Sequence, residues 1–209
     1  MLVHVKFSLI LATVGRSEEL RTFLVSLRGQ THGDIQLIVV DQNQDDRVKA
    51  VLAEAACPFP VVYLHTRPGL SHARNVGLRH AEGDVITFPD DDCWYEPDVL
   101  KRVNALLEGN PNLDGMTGRS VDADGKTSGG VFAKQPGPVK FLDVWVKATS
   151  FTIFLRRAVC EAVGEFDETL GVGAGTDFGS AEDPGRTVMG ANGLDRLDVG
   201  RAAGRIDSS

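Results

Sequence analysis

Strand-like and helix-like segments alternate along the first half of the chain, and this alternation limits the possible folds more than any other feature of the sequence. Short apolar runs typical of buried strands are separated by stretches whose apolar residues recur with the period of a helix. The predicted strands are Phe7–Ala12, Ile35–Val40, Val61–Leu64 and Asp84–Phe88. The predicted helices begin at Ser17, contain Val48–Ala55, span Ser71–Ala81 and begin at Pro97. This order predicts an α/β sandwich with a largely parallel sheet.

Polar residues follow three of these strands directly. Thr13 to Arg16 come after the first strand, Asp41 closes the second, and Asp90–Asp92 follow the fourth. Ligands of parallel α/β sheets bind outside the carboxyl ends of the strands. We therefore expect these residues to share one edge of the sheet.

The stretch FPDDDCWY, residues 88–95, places three aspartates in a row. The carboxylates of Asp90 and Asp92 suit Mg²⁺ or Mn²⁺, ions that take one or two protein carboxylates and complete their shell with phosphate and water. Taken alone, the triplet is equally well explained as an acidic, solvated turn, since loops often carry Asp. Its position after a buried strand, facing Asp41 and the TVGR loop, favours the metal site.

Arg74 and Asn75, in PGLSHARNVGL, are predicted in the first turn of a helix, near its positive end. A helix N-terminus with an arginine is a good anion site. A solvated surface arginine is the alternative. Together with the acidic residues, the pattern is explained more simply by a nucleoside diphosphate held between a metal ion and Arg74.

Several other classes of protein are disfavoured. The TVGR loop has one glycine, which argues against a dinucleotide-binding dehydrogenase, and the sequence has no P-loop. A formal net charge of −7 and a pI near 5.2 argue against a nucleic-acid partner.

The three cysteines have no metal-ligand spacing, which indicates reduced thiols in a cytoplasmic protein. No apolar run approaches the ~20 residues of a transmembrane segment. Peripheral attachment to the inner face of a membrane and a homo-oligomer stay open.

A family resemblance rests on five stretches in the right order and spacing: SLILATVGR, LIVVDQNQDD, RPGLSHARNVGL, GDVITFPDDDCWYEPDVL and VGEFDETLGVGAGTDFGSAED. Over roughly residues 5–183 the chain resembles the family 2 glycosyltransferases of GT-A fold. The resemblance implies a three-layer sandwich around a mostly parallel sheet, and a nucleoside-diphosphate sugar as donor.

The resemblance also implies roles for single residues. Thr13 and Arg16 are expected to line the base pocket, and Asp41 to contact the nucleobase or ribose. Arg74 is expected beside the nucleotide, with Asn75 next to it. Asp90–Asp92 match the DXD motif of the family. The resemblance implies that Asp91 approaches the ribose and that Asp92 ligates Mg²⁺ or Mn²⁺ with support from Asp90.

The acidic pair Glu182–Asp183 matches the acceptor side of the family's site. The resemblance implies that Asp183 is the general base, which takes the proton of an acceptor hydroxyl as that hydroxyl attacks the anomeric carbon. One displacement of this kind inverts the configuration. The residues alone also permit a plain helix cap before Pro184, and both interpretations can hold together. The acceptor is expected to be a glycan, a lipid-linked molecule or a small molecule, as in polysaccharide biosynthesis.

The sequence departs from the family after Asp183. Residues 184–209 are rich in glycine and have few apolar residues, so we expect them to add little to the core and leave their disorder open. The predicted organisation is a GT-A domain over 1–183 and an atypical tail over 184–209. Before the tail, 150–155 is predicted as a strand and 156–163 as a short helix.

Two function classes therefore compete, an active inverting glycosyltransferase and a donor-binding remnant that lacks a complete acceptor site. A nucleotidyltransferase uses a similar arrangement of metal and nucleotide. It is less favoured because it needs a different phosphate loop.

Overall fold

The strands and helices are given by a computed structural model, which describes residues 5–121, 127, 137–139, 149–170, 172, 198–199 and 206–208. The strands of the first half are β1 (Phe7–Thr13), β2 (Ile35–Asp41), β3 (Val61–His65), β4 (Val85–Thr87) and β5 (Cys93–Tyr95). The later strands are β6 (Gly115–Thr117), β7 (Ser120–Val121), β8 (Gly137–Pro138), β9 (Ile153–Arg156), β10 (Asp198–Val199) and β11 (Ile206–Ser208). The helices are α1 (Glu18–Arg28), α2 (Arg47–Ala55), α3 (Leu70–Leu78), α4 (Val99–Gly109) and α5 (Arg157–Val163).

The main sheet has the strand order β3-β2-β1-β4-β9-β6. β1 pairs in parallel with β2 and β4, and β2 pairs in parallel with β3. β9 runs antiparallel to both β4 and β6. The register aligns Thr13 with Asp41 and Asp41 with His65, so three neighbouring strands end side by side. The predicted mostly parallel sheet is confirmed.

Each face of the sheet has its own apolar core, because successive side chains of a strand point to opposite faces. On one face, Leu9 and Leu37 pack with apolar side chains of α1, α2 and α4. On the other face, Ile10 and Ile38 pack with apolar side chains of α3 and α5. The sheet thus lies between two layers of helices, as predicted.

Helix α1 begins and ends where its sequence indicates. Ser17 is the N-cap residue, although its side chain makes no capping hydrogen bond, and Gly29 is the C-cap residue. Glu18 and Glu19 lie in the first turn, where the positive end of the helix dipole favours acidic residues. The apolar stripe of this helix is buried as expected.

Three predicted boundaries are wrong. Helix α3 ends at Leu78 and not at Ala81. Helix α4 begins at Val99 and not at Pro97, because the Pro97 carbonyl accepts a hydrogen bond from Thr31 N (2.7 Å). The strand predicted over 150–155 starts instead with a 3₁₀ turn, so β9 begins at Ile153.

Short strands also occur within the tail. β10 pairs with β8, and β11 lies between β5 and β7. The division of the chain into 1–183 and 184–209 stays a prediction. None of the described helices combines the length and the hydropathy needed to span a membrane.

Two buried polar side chains on adjacent strands hold the turn between α3 and β4. Ser8 Oγ donates to Gln36 Oε1 (2.6 Å) and accepts from Gly83 N (2.8 Å). Gln36 Oε1 also accepts from Glu82 N (3.0 Å), and Gln36 Nε2 donates to His80 O (3.1 Å). This network holds the turn directly against the backbone of β1.

Replacing Gly83 with alanine is expected to lower the free energy of unfolding by roughly 2–3 kcal/mol. The new Cβ would lie 2.5 Å from Ser8 N and 2.8 Å from Lys6 O, which are backbone atoms beside a buried strand. Gly33→Ala is the matched control, since a Cβ at that position meets no atom within 4 Å. Urea unfolding followed by circular dichroism measures both variants. Equal stability of the two variants would contradict the close contact.

Candidate active site

Four of the predicted site residues, Thr13, Arg16, Asp91 and Asp92, lie together at the carboxyl edge of the main sheet. Thr13 ends β1, and Arg16 follows it in the loop toward α1. The two aspartates lie between β4 and β5. Because β1 and β4 are parallel neighbours, both loops leave the sheet at the same edge.

The Asp91 carboxylate is held on both of its oxygens. Thr13 Oγ1 donates to Oδ2 (2.6 Å), and Arg16 Nη1 donates to Oδ1 (2.7 Å). Burial raises the pKa of Asp91, whereas the hydrogen bonds from Thr13 and Arg16 lower it. The Asp91 carboxylate is thus buried and fixed in orientation at the carboxyl edge of the sheet.

The neighbouring residues Asp90, Asp92 and Cys93 bring one ligand atom each to within 4.8 Å of one another. The two carboxylates are hard oxygen donors of the kind that Mg²⁺ and Mn²⁺ bind. Cys93 is buried, and burial raises the pKa of its thiol. Mg²⁺ and Mn²⁺ prefer oxygen ligands to sulfur. The donor set therefore fits a Mg²⁺ or Mn²⁺ ion held by Asp90 and Asp92, with phosphate and water as further ligands.

Arg74 is a buried cation beside this group, with 3% of the residue exposed. Its Cζ lies 5.6 Å from the ring centroids of both Phe88 and Phe166. Its Nη2 donates to Ser150 Oγ (3.0 Å) and lies 3.7 Å from Asp90 Oδ1. Burial lowers the pKa of Arg74. Burial also raises the pKa of Asp90 to about 6, a rise that the charge of Arg74 opposes.

The sequence predicts Arg74 and Asn75 in the first turn of their helix, and this prediction is wrong. Helix α3 begins at Leu70, which places both residues in the second turn. Asn75 Nδ2 donates to Phe166 O (2.9 Å), and Asn75 Oδ1 accepts from Phe166 N (2.7 Å). Asn75 therefore faces the segment that follows α5, and only Arg74 of the two reaches the aspartates.

The amino end of α3 was predicted to form part of an anion site. Leu70 N donates to Val172 O (3.0 Å), and Ser71 Oγ donates to Leu170 O (2.7 Å). The same segment thus covers this end of the helix. The positive charge that α3 brings to the site comes from the side chain of Arg74.

Asp41 is fully buried and is hydrogen bonded within the same edge. Its Oδ1 accepts from the backbone N and from Nδ2 of Asn43 (2.8 Å each), and its Oδ2 accepts from the Tyr63 hydroxyl (2.8 Å). Burial and the contact with Asp41 raise the pKa of Tyr63 to about 12. Asn43 Oδ1 in turn accepts from Gly15 N (2.7 Å). Asp41 therefore holds the loop at 13–16 through Asn43, and its direct contact with a nucleobase or ribose stays a prediction.

Glu182 and Asp183, the pair predicted for the acceptor side, lie outside the described residues.

Three residues of the site were not predicted from the sequence: Asn43, Ser150 and Phe166. Asn43 carries a usable signal, because it is a polar residue just past the end of a buried strand. Ser150 and Phe166 carry none, since they meet Arg74 only through the tertiary fold.

The family model described as Glycosyl transferase family 2 matches residues 8–161 of this chain. An uncharacterized glycosyltransferase of Haemophilus influenzae is 34% identical over 109 residues, which cover 51% of this chain and 36% of that protein. The chain thus spans little more than a third of that relative's length.

The architecture is also shared with solved structures of other proteins. S. aureus TarS in complex with UDP-GlcNAc matches with a TM-score of 0.75 at 24% identity, covering 97% of this chain and 58% of that one. The mannosyltransferase PcManGT from Pyrobaculum calidifontis, in complex with GDP-Man and Mn²⁺, matches with a TM-score of 0.62 at 17% identity, covering 82% of this chain and 50% of that one. The predicted GT-A fold is confirmed.

The family match spans well over half of the chain, including the strand ends at Thr13 and Asp41 and the loop with the three aspartates. The chain accordingly belongs to glycosyl transferase family 2.

Proposed function

We propose that this chain transfers a sugar from a nucleoside-diphosphate donor to an acceptor hydroxyl, with inversion and with the help of Mg²⁺ or Mn²⁺. One observation carries the proposal. Two arginines and three aspartates from separate loops and from α3 meet at one carboxyl edge of a parallel sheet, where α/β proteins bind their ligands.

The nature of the donor is supported by the solved structures of the same fold. TarS was solved with UDP-GlcNAc, and PcManGT with GDP-Man and Mn²⁺. A nucleoside diphosphate suits this edge as well, because its negative charge can be balanced by a cation held on the aspartates and by the nearby arginine side chains. The proposal extends to the class of donor and not to one sugar or base.

Asp92 and Asp90 are the residues proposed to hold the divalent cation. A cation held by these two carboxylates would neutralise the negative charge that builds up on the departing diphosphate. Arg74 keeps a fixed positive charge 3.7 Å from Asp90, which favours the ionised form of that carboxylate and orients it. Because the guanidinium is buried, its charge is poorly screened by solvent and acts strongly on nearby anions.

The loop at 13–16 is proposed to form the pocket for the base and ribose. Thr13 and Arg16 fix the carboxylate of Asp91. This carboxylate is proposed to contact the ribose. Asp41 and Asn43 hold the loop from the neighbouring strand. A pocket with its polar groups held in place binds without the cost of ordering them.

Asp183 is proposed as the general base, with Glu182 beside it. In this step the carboxylate of Asp183 takes the proton of the acceptor hydroxyl, the oxygen bonds to the anomeric carbon, and the bond to the diphosphate breaks. Both residues belong to the proposed domain over 1–183. The acceptor is proposed to be a glycan, a lipid-linked molecule or a small molecule.

Asp92→Asn is expected to weaken Mn²⁺-dependent binding of UDP or GDP by about tenfold or more, since the isosteric amide lacks the charge that a hard cation requires. Isothermal titration with and without EDTA measures this binding. Asp98→Asn is the matched control, because Asp98 is 49% exposed and pairs with Arg102 (3.6 Å) on the surface of α4. Unchanged metal-dependent binding in Asp92→Asn would show that the assignment is wrong.

Asp183→Asn is expected to slow sugar transfer by roughly 10²–10⁴-fold, because the amide cannot accept the proton of the acceptor hydroxyl. Donor affinity should stay within about twofold of the wild type, since the base acts on the acceptor side. Product formation with a panel of hydroxyl acceptors measures the first quantity, and titration with the nucleotide measures the second. A variant that transfers sugar at the wild-type rate rules out this base.

The same assay decides whether the chain is an enzyme or a donor-binding remnant. The remnant alternative arises from residues 184–209, which do not match the family. Wild-type chain that binds the donor tightly but forms no product, either on acceptors or by hydrolysis, would favour the remnant.

A further inference from the structure

Arg16 places a single nitrogen between two neighbouring carboxylates. Its Nη1 donates to Asp91 Oδ1 at 2.7 Å and also to Asp92 Oδ2. The Arg16 side chain is 43% exposed, whereas those of Asp91 and Asp92 are 8% and 28% exposed. Arg16 therefore supplies positive charge to the aspartates from the more exposed side of the edge.

The two carboxylates differ in their other partners. Asp91 also accepts from Thr13 and is held on both oxygens. Asp92 lies with Asp90 in the group of ligand atoms that fits a divalent cation, and its Oδ1 is 3.9 Å from Cys93 Sγ. Asp92 is thus the carboxylate that both Arg16 and a bound cation approach.

A divalent cation and a guanidinium beside one carboxylate repel each other, and the repulsion is strong where solvent is partly excluded. The hydrogen bond from Arg16 also uses a lone pair of the Asp92 carboxylate. That lone pair would otherwise be free to coordinate the ion. The bond to Asp91 has no such conflict, because Asp91 is outside the candidate metal group. Arg16 can therefore release Asp92 and stay attached to Asp91.

From this geometry we infer that Arg16 competes with the divalent cation for Asp92 and so lowers the affinity of the site for metal. The inference rests on the proposed role of Asp92 as a metal ligand. It gives Arg16 a function other than lining the base pocket, the role that the sequence had suggested.

The test uses the 209-residue chain and Mn²⁺ alone, with free Mn²⁺ followed by electron paramagnetic resonance. Arg16→Gln removes the competing charge and is expected to tighten Mn²⁺ binding by about tenfold. Arg16→Lys keeps the charge and is expected to bind Mn²⁺ within about threefold of the wild type. Asp92→Asn shows whether the measured binding depends on this carboxylate.

Arg21→Gln is the matched control. Arg21 also joins two carboxylates, those of Glu18 (2.8 Å) and Glu54 (3.0 Å), and its side chain is 38% exposed. It lies on the surface of α1, so its removal changes the net charge of the chain by the same amount without touching the aspartates. Its Mn²⁺ affinity is expected to equal that of the wild type.

Unchanged or weaker Mn²⁺ binding by Arg16→Gln, at wild-type thermal stability, overturns the inference and leaves the proposed metal site intact. Arg16→Lys binding as tightly as Arg16→Gln also overturns it, because charge would then not be the cause. If Asp92→Asn binds Mn²⁺ with the affinity of the wild type, both the proposed metal ligand and the inference are contradicted.

Discussion

Three consecutive carboxylates at the end of a buried strand repel one another, and the rest of the edge is arranged around them. Two arginines compensate part of this charge, and they come from different elements. Arg16 reaches Asp91 and Asp92 from the loop after β1, and Arg74 approaches Asp90 from within α3. The parallel pairing of β1 with β4 brings the first loop to the aspartates, and the packing of α3 on the same sheet brings the second arginine. The sheet topology is thus what makes the acidic sequence tolerable in a folded chain.

The compensation within the described residues is incomplete, and this is informative about function. The pKa of Asp90 is raised to about 6, because burial and the charges of Asp92 and Asp91 together outweigh the opposing charges of Arg74 and Arg16. A carboxylate in this position is stabilised in its ionised form by additional positive charge. A site that favours a further positive charge in this way is consistent with the proposed binding of a divalent ion.

Much of this could be predicted from the sequence, because the decisive signals are local. Apolar runs ending in Thr13, Asp41 and the triplet indicate both the strands and the edge where they end. The environment of Arg74 could not be predicted in the same way. Its contacts with Ser150 and Phe166 depend on β9 inserting antiparallel beside β4, and no periodicity in the sequence indicates that insertion. The contacts at the amino end of α3 could not be predicted either, because Leu70 and Ser71 bond there to Val172 and Leu170, which are distant along the chain.

The loop at 13–16 connects the two halves of the proposed donor site. Gly15 has a φ of 76°, in the left-handed region that favours glycine, and its amide donates to Asn43, which is held by Asp41. On the other side of that glycine, Arg16 holds the aspartates. A displacement of the loop toward a nucleobase would therefore move the guanidinium relative to Asp92. Because the proposed base pocket and the proposed cation site share this one short loop, we expect the binding of the base and the binding of the cation to be coupled.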